Sequence, residues 1–409
     1  MAKNLVIVES PAKARTVGRF LGTDYEVKAS LGHVRDLPGN KLGVEVDNDF
    51  TPSYIVLKDK TKVVQDLKKA SKNASHIYLA TDPDREGEAI SWHLIQAAGW
   101  ENRSTQRVVF HQITDEAIQD AFRNPRDIDM RLVNAQQARR VLDRLVGYQL
   151  SPLLWRKVQR GLSAGRVQSV ALRMVVDRER EIEAFTTREY WVISAILRRL
   201  GRNNRDQQAG NFNTKLQGML GERKSLEISS EDDARTITSA LEGASYSVVD
   251  LQKKEVRNRP APPFITSTLQ QEAWRKLRFS AKKTMSLAQQ LYEGLPVGAE
   301  GSVGLITYMR TDSTDVAPSA LREAIEYIRT NYGAKYAPKS PRSYTKKSKG
   351  AQEAHEAIRP TSIKRTPELI KNHLSRDQAR LYDLIWKRML ASQMVDAVSD
   401  STRVDVHAQ

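Results

Sequence analysis

The sequence predicts an α/β protein of several domains, with a doubly wound parallel sheet at the N-terminus followed by mainly helical and β-rich parts. Three observations predict it. Short apolar runs, each leading into a capped helix, recur through the first 128 residues. The apolar spacing then turns helical near residue 129 and strand-like between 190 and 255. The chain has 409 residues, more than one ordinary core holds.

Leu5-Val-Ile-Val8 is a continuous apolar run, as a strand buried on both faces requires. Ser10-Pro11 supplies an N-cap and a proline in the first helical turn, opening a helix to about Leu21 that Gly22 stops. His76–Ala80 repeats the strand signal and leads through Thr81–Glu86 into a helix ending near Gly99. Arg107–Phe110 and a Thr114-capped segment form a third unit. Helical spacing follows from 129 to 187, lined with arginines, then a β-rich stretch at 188–266 with a polar loop at Arg202–Asn213. Pro260–Pro263 marks a boundary. Residues 267–395 read as helical, interrupted by a short strand at Gly304–Arg310 and a basic loop at Ser340–Gly350, and strand character returns at 396–409.

Composition narrows the partners. Lysine and arginine total 65 against 49 acids, a net charge of +16 that favours a polyanion, because each neutralised phosphate releases a counterion. The basic residues form no juxtamembrane block, and no run reaches the roughly 20 apolar residues of a membrane span. The apolar run in MAKNLVIVES is too short for a signal peptide. Without cysteine, the chain has no disulfide, thiol nucleophile or zinc ribbon, which fits a reducing cytosol. The expectation is a soluble cytoplasmic protein with a nucleic-acid partner and no membrane partner.

Two clusters carry candidate chemistry. In LITYMRTDS (Leu305–Ser313), strand alternation would set Tyr308 and Arg310 on one side, a phenol beside a guanidinium. Tyrosine is also common in strands, so the pair alone leaves a structural role open. Asp82, Asp84 and Glu86 lie at a strand-to-helix junction, where acids either ligate a hard divalent cation or complement the helix dipole. Glu9, just past the first strand, would share the carboxyl edge of the sheet with Asp82. Carboxylates crowded there repel unless a metal or a raised pKa relieves them, which favours metal or acid–base work. Lys13, one turn on, is either a phosphate ligand or a solvated helix lysine.

The motifs VESPAKA (Val8–Ala14), LGHVRDLP (Leu31–Pro38), TDPDREGEAI (Thr81–Ile90), LSAGRVQS (Leu162–Ser169), ITYMRTDS (Ile306–Ser313) and QEAHEAIRP (Gln352–Pro360) together resemble the bacterial type IA DNA topoisomerase I family, in order and over nearly the whole chain. The resemblance implies a multi-domain toroid: a Toprim domain (1–128), a helical single-stranded-DNA domain (129–187), a β-rich hinge (188–266), a helical domain bearing the nucleophile (267–395) and a returning hinge segment (396–409). It implies that Tyr308 attacks a phosphodiester and keeps the 5′-phosphate, that Arg310 stabilises the phosphate, that Glu9 and Lys13 serve catalysis, and that Glu9, Asp82, Asp84 and Glu86 hold Mg²⁺. His33, Arg107, Arg139, Arg140, Asp143, Tyr148, Trp155, Ser163, Ala164, Gly165, Arg166, Val167, Gln168, His355 and Arg359 fall on DNA-contact positions. A monomer in the bacterial cytoplasm, at the nucleoid, is implied as well.

The residues also support independent readings. Arg139 and Asp143, at i and i+4 on a helix, make an ordinary surface ion pair or a DNA contact; Tyr148 and Trp155 would offer stacking platforms for unpaired bases. Gly165 permits a close strand approach or a plain turn, and His33 and His355 are by residue type surface histidines. A phosphotyrosine ester conserves the energy of the broken bond, and the absence of a G-x-x-x-x-G-K-[ST] loop is consistent with an enzyme that needs no ATP. A Toprim nuclease or primase, or a non-catalytic single-strand clamp, are the competing functions. Family members build the hinge and helical domains from two chain segments each. The chain therefore reads as C-terminally truncated, with cleavage residues present and full strand passage a separate matter.

Overall fold

The computed structural model describes residues 3–200, 210–220, 226–344 and 356–409. Along the chain come β1 (Asn4–Val8), α1 (Pro11–Leu21), β2 (Tyr25–Ala29), the two-residue strands β3 (Arg35–Asp36), β4 (Val44–Glu45), β5 (Thr51–Pro52) and β6 (Ile55–Val56), α2 (Thr61–Ser71), β7 (Ile77–Leu79), α3 (Arg85–Ala98), β8 (Thr105–Arg107) and α4 (Asp115–Arg123). Next are α5 (Met130–Lys157), α6 (Gln168–Glu183), β9 (Ser194–Leu197), β10 (Phe212–Lys215), α7 (Glu231–Glu242) and β11 (Tyr246–Asn258). The last stretch holds α8 (Thr266–Glu272), α9 (Ala281–Glu293), β12 (Leu295–Pro296), β13 (Ser302–Val303), α10 (Pro318–Asn331), α11 (Pro367–Ile370), α12 (Arg376–Ser392) and β14 (Ala397–Ala408).

Strand β1 is the centre of the N-terminal sheet. Strands β2, β1, β7 and β8 run parallel in that order, with Ile7 opposite Lys28 on one side and Leu79 on the other. Alternation divides its apolar residues between two layers. Val6 and Val8 share a core with Val17, Leu21 and Ile118 from α1 and α4, whereas Leu5 and Ile7 pack with Leu67, Ile90 and Leu94 from α2 and α3. The chain leaves β1 toward β2 and returns on the opposite side as β7. The strand order therefore reverses between the carboxyl ends of β1 and β7, the place where such sheets bind ligands.

Local chemistry sets the helix starts. Ser10 accepts a hydrogen bond from the Lys13 backbone N–H, Asp84 from Gly87 and Thr114 from Ala117, each satisfying an amide that the first turn leaves open. Gly99, at φ 69°, ends α3 in the left-handed conformation a glycine takes without cost.

Residues 1–169 with 259–396 form one compact unit, and 170–258 with 397–409 form another. In the first, the core of β1, α1 and α4 continues through Tyr292 of α9, Leu305, Ile306 and Tyr308, and on to Ile328 of α10 and Leu381 and Ile385 of α12. The second unit contains the antiparallel pairs β9–β10 and β11–β14, the latter with a register shift between Val248 and Asp250. Only Ile228 and Ala234 are buried apolar side chains among its described residues.

Several expectations are corrected. Gly304–Arg310 is no regular strand: β13 spans only Ser302–Val303, and the rest is an extended segment with a single bridge, Ile306 to Pro360. Its amides bond to scattered carbonyls (Gly304 to Ile113, Leu305 to Leu291, Thr307 to Arg359, Tyr308 to His111), so no one neighbour builds a ladder. The third strand lies at Thr105–Arg107 rather than Arg107–Phe110. The β-rich stretch holds a full helix, α7, capped by Ser230. Much of the polar tract at 202–213, and positions 345–350 of the basic loop, lie outside the described residues. No helix among the described residues is long and apolar enough to cross a membrane.

Candidate active site

The reversal point of the sheet brings Glu9 and Asp82 together. The Asp82 backbone N–H donates to Glu9 Oε1 at 2.6 Å, and Lys13 Nζ bridges Glu9 Oε2 at 3.1 Å and Asp82 Oδ1 at 2.8 Å. Lys13 is fully buried, 5.1 Å from the centroid of the Phe110 ring, so it is no solvated helix lysine. Burial pulls its pKa down, but Asp82 and Glu9 more than offset this and hold it above the usual lysine value. Burial also raises Glu9 to about 7; the repulsion of Asp82 adds to the rise, while Lys13 opposes it. Near neutral pH Glu9 can give or take a proton.

The next carboxylates face other ways. Asp84 caps α3 with Oδ1 and accepts the Tyr308 hydroxyl at Oδ2, 2.6 Å away. Arg310 Nη1 lies 3.6 Å from the same oxygen. Glu86 is close to His33 Nε2 (3.3 Å) and accepts from Gln136 Nε2 (3.1 Å); the His33 contact, above all, holds its pKa below the usual carboxylate range. This geometry requires two glycines to bring backbones close. A β-carbon on Gly87 would stand 2.1 Å from the Asp82 carbonyl oxygen, and one on Gly304 would stand 2.7 Å from that of Tyr292.

Tyr308 is only 2% exposed, and its ring meets Tyr292 edge-on with centroids 5.2 Å apart. Burial raises its pKa far above the ordinary phenol value; Asp82 and Asp84 reinforce this, and Arg310 opposes it. The tyrosine therefore rests as a neutral phenol hydrogen-bonded to a carboxylate. Tyr292 carries no functional signal in the sequence, because its helical spacing with Thr284, Ala288 and Leu291 in α9 marks it only as a core residue.

The expected DNA contacts divide into exposed and buried groups. Arg140, Asp143, Tyr148 and Trp155 line one side of α5 and, with Arg144, Gly147, Ser151 and Pro152, enclose a cavity of ≈ 580 Å³. Arg140 is held by Asp36 in a two-point pair at 2.7 and 2.5 Å, and Arg144 and Tyr148 reach the carbonyls of Pro38 and Gly39. Trp155 donates from its ring nitrogen to the Leu162 carbonyl. Asp143 pairs with Arg166 at 3.1 Å, so the i,i+4 pair with Arg139 is not formed. In the loop, Ala164 bonds to Ser151 and Gly165 to Ser169, while Ser163, Val167 and Gln168 are exposed.

Arg107 and Arg359 are corrections. Arg107 is fully buried; it pairs with Glu88 at 3.0 Å and donates to the carbonyls of Leu79, Thr81, Asp82 and Val108. It holds the loop that carries Asp82 rather than facing a ligand. Arg359, 3% exposed, donates to Glu356, Gln112 and the Pro360 carbonyl. His355 lies outside the described residues.

Comparison with known proteins fits this geometry. Residues 4–113 match the Toprim domain family, and residues 127–409 match the family described as DNA topoisomerase. Full-length topoisomerase I from Thermotoga maritima superposes with a TM-score of 0.81 at 43% identity, covering 98% of this chain. The chain spans 62% of that protein's length. With two family matches that together cover nearly every residue, the chain belongs to the bacterial type IA DNA topoisomerases.

Proposed function

We propose that the protein cuts one DNA strand through Tyr308, passes a strand through the gap and reseals it, relaxing negative supercoils with Mg²⁺ and without ATP. One observation carries the reading: the Tyr308 phenol and the Arg310 guanidinium meet at Asp84, next to the Glu9–Lys13–Asp82 cluster. A scissile phosphate placed between them has a nucleophile on one side and a proton donor on the other.

The chemistry follows from the groups present. Tyr308 Oη forms a bond to phosphorus as the bond from phosphorus to the 3′-oxygen breaks. Because free phenolate is strongly disfavoured here, the hydroxyl proton passes to Asp84 Oδ2 during attack rather than before it. Arg310 stabilises charge gathering on the phosphoryl oxygens. Glu9, with its pKa near 7, protonates the departing 3′-oxygen and takes the proton back on resealing.

Asp82, Asp84 and Glu86 offer the hard oxygen donors that suit Mg²⁺. In the described residues no three acidic or histidine side chains converge on one point, since protein donors hold each carboxylate. These three residues, with Glu9, would hold the ion through oxygen lone pairs that those donors leave open. When bound, it supplies positive charge to the phosphate oxygens. The exposed cavity along α5, with Arg140, Tyr148 and Trp155, supports a single-strand track. The five-part division into Toprim, helical, hinge, tyrosine-bearing and returning segments belongs to the same reading, as does a monomeric cytoplasmic enzyme.

Incubation with end-labelled single-stranded oligonucleotide, followed by denaturation, tests it. The expected result is a protein–DNA adduct on the 5′-phosphate that Tyr308→Phe abolishes. Free 5′-phosphate ends without attached protein would point to nuclease chemistry instead.

A further inference from the structure

The corner between α8 and α9 departs from ordinary helix geometry in two ways. Residues Ala273–Leu277 form a turn of π-helix, and Arg278 after it adopts φ 59°, ψ 34°. Left-handed backbone is costly for any residue with a β-carbon, and arginine lacks the short polar side chain that lets asparagine recover the cost. Both features recur where a surface is shaped for use. What they present is an indole. Trp274 is 57% exposed, and the Arg278 guanidinium lies 5.8 Å from its ring centroid.

The surrounding charge is one-sided. Glu272 is the single acid between residues 272 and 283, and it is shared by Arg275, Lys276 and Arg388. Among the described residues neither Arg278 nor Lys282 has a carboxylate within ion-pair distance. An exposed indole flanked by unneutralised cations matches a base stacked on a ring with its phosphates beside it.

The corner is tied to the cleavage segment. Thr266, at the start of α8, donates from its hydroxyl to the Met309 and Thr311 carbonyls at 2.8 and 3.0 Å. The helix between is only 7 residues, a span of about 10 Å. We propose that Trp274 and Arg278 form a second single-stranded DNA contact, separate from the α5 cavity and one short helix away from the segment bearing Tyr308. This rests on the DNA reading above.

Photocross-linking tests it directly, using the whole chain and an oligothymidylate carrying 5-iododeoxyuridine. The expected result is linkage to the peptide containing Trp274 as well as to α5 peptides. Linkage confined to α5 overturns the second contact and leaves the DNA reading intact; no binding of single strands at all overturns both. Trp274→Ala should weaken oligonucleotide binding about fivefold or more, with Trp274→Phe keeping most of the affinity. Arg278→Gly, which relieves the left-handed strain, should raise the melting temperature yet weaken binding. A stabilised Arg278→Gly protein with unchanged affinity overturns the proposal. So does protection of Trp274 by polyglutamate as complete as that by oligothymidylate, because the surface would then read charge alone.

Discussion

Glu9 ties protonation to both stability and chemistry. Its native pKa of about 7 stands above the ordinary 4.5, so the folded state binds its proton more tightly than the unfolded chain. Stability from this group is therefore greatest below pH 4.5 and falls as pH rises to about 7, by about 3 kcal/mol in all. Glu9→Gln should remove that slope from denaturant titrations run across the window. In single-turnover cleavage, the wild-type rate should drop about tenfold per pH unit above 7, and the variant should lose the inflection. Arg107 offers a contrasting test. Arg107→Ala would leave Glu88 with only Arg126 as cationic partner and take the side-chain donor from the carbonyls of Thr81, Asp82 and Val108, while Leu79 keeps its bond from the Val108 amide, a loss of about 3–5 kcal/mol in unfolding experiments. The two residues also show what sequence alone reveals. Glu9 was legible because its place just past an apolar strand fixes it on the sheet edge. Burial of Arg107 was not, because it depends on carbonyls 25 to 28 residues away in the chain turning inward.

Among the elements, α3 does most to set the site, and its first turn depends on Gly87. Thr81 donates to the Gly87 carbonyl at 2.7 Å, and the Gly87 amide donates to Asp84, folding the loop tightly over the helix start. The position where an added β-carbon would meet backbone most closely thus lies in the first turn of α3, just past the two aspartates. Gly87→Ala should cost about 1–3 kcal/mol or more, because a backbone oxygen cannot swing aside as a side chain can. Adduct formation should fall further than stability does, as Asp82 and Asp84 shift together; equal losses in both assays would refute the link. Caps such as Ser10, Asp84 and Thr114 act within three residues, so the helix starts were readable from the sequence. The segment carrying Tyr308 was misread as a strand for the opposite reason. Its amides bond to residues 111, 113, 291 and 359, and no local pattern encodes that set.

At the scale of the molecule, the two compact units differ sharply in what they bury. The first holds a continuous apolar core around β1, α9 and α12. The second depends largely on the β11–β14 ladder, whose side chains are mostly exposed on both faces. Two strands without a covering apolar layer are marginal in water, since backbone hydrogen bonds alone barely offset the ordering entropy. Hydrogen exchange should therefore proceed in two classes. Amides of 246–258 and 397–408 should exchange at least ~100-fold faster than those of β1 and β7, through local opening that leaves the first unit intact. Urea titration followed by β11–β14 exchange and by the fluorescence of a variant that keeps Trp386 as its sole tryptophan should give separate midpoints, since Trp386 lies in the first core. Coincident midpoints, with uniform protection across both units, would mean that the second unit draws its stability from the first, and the division into independently opening parts would have to be withdrawn.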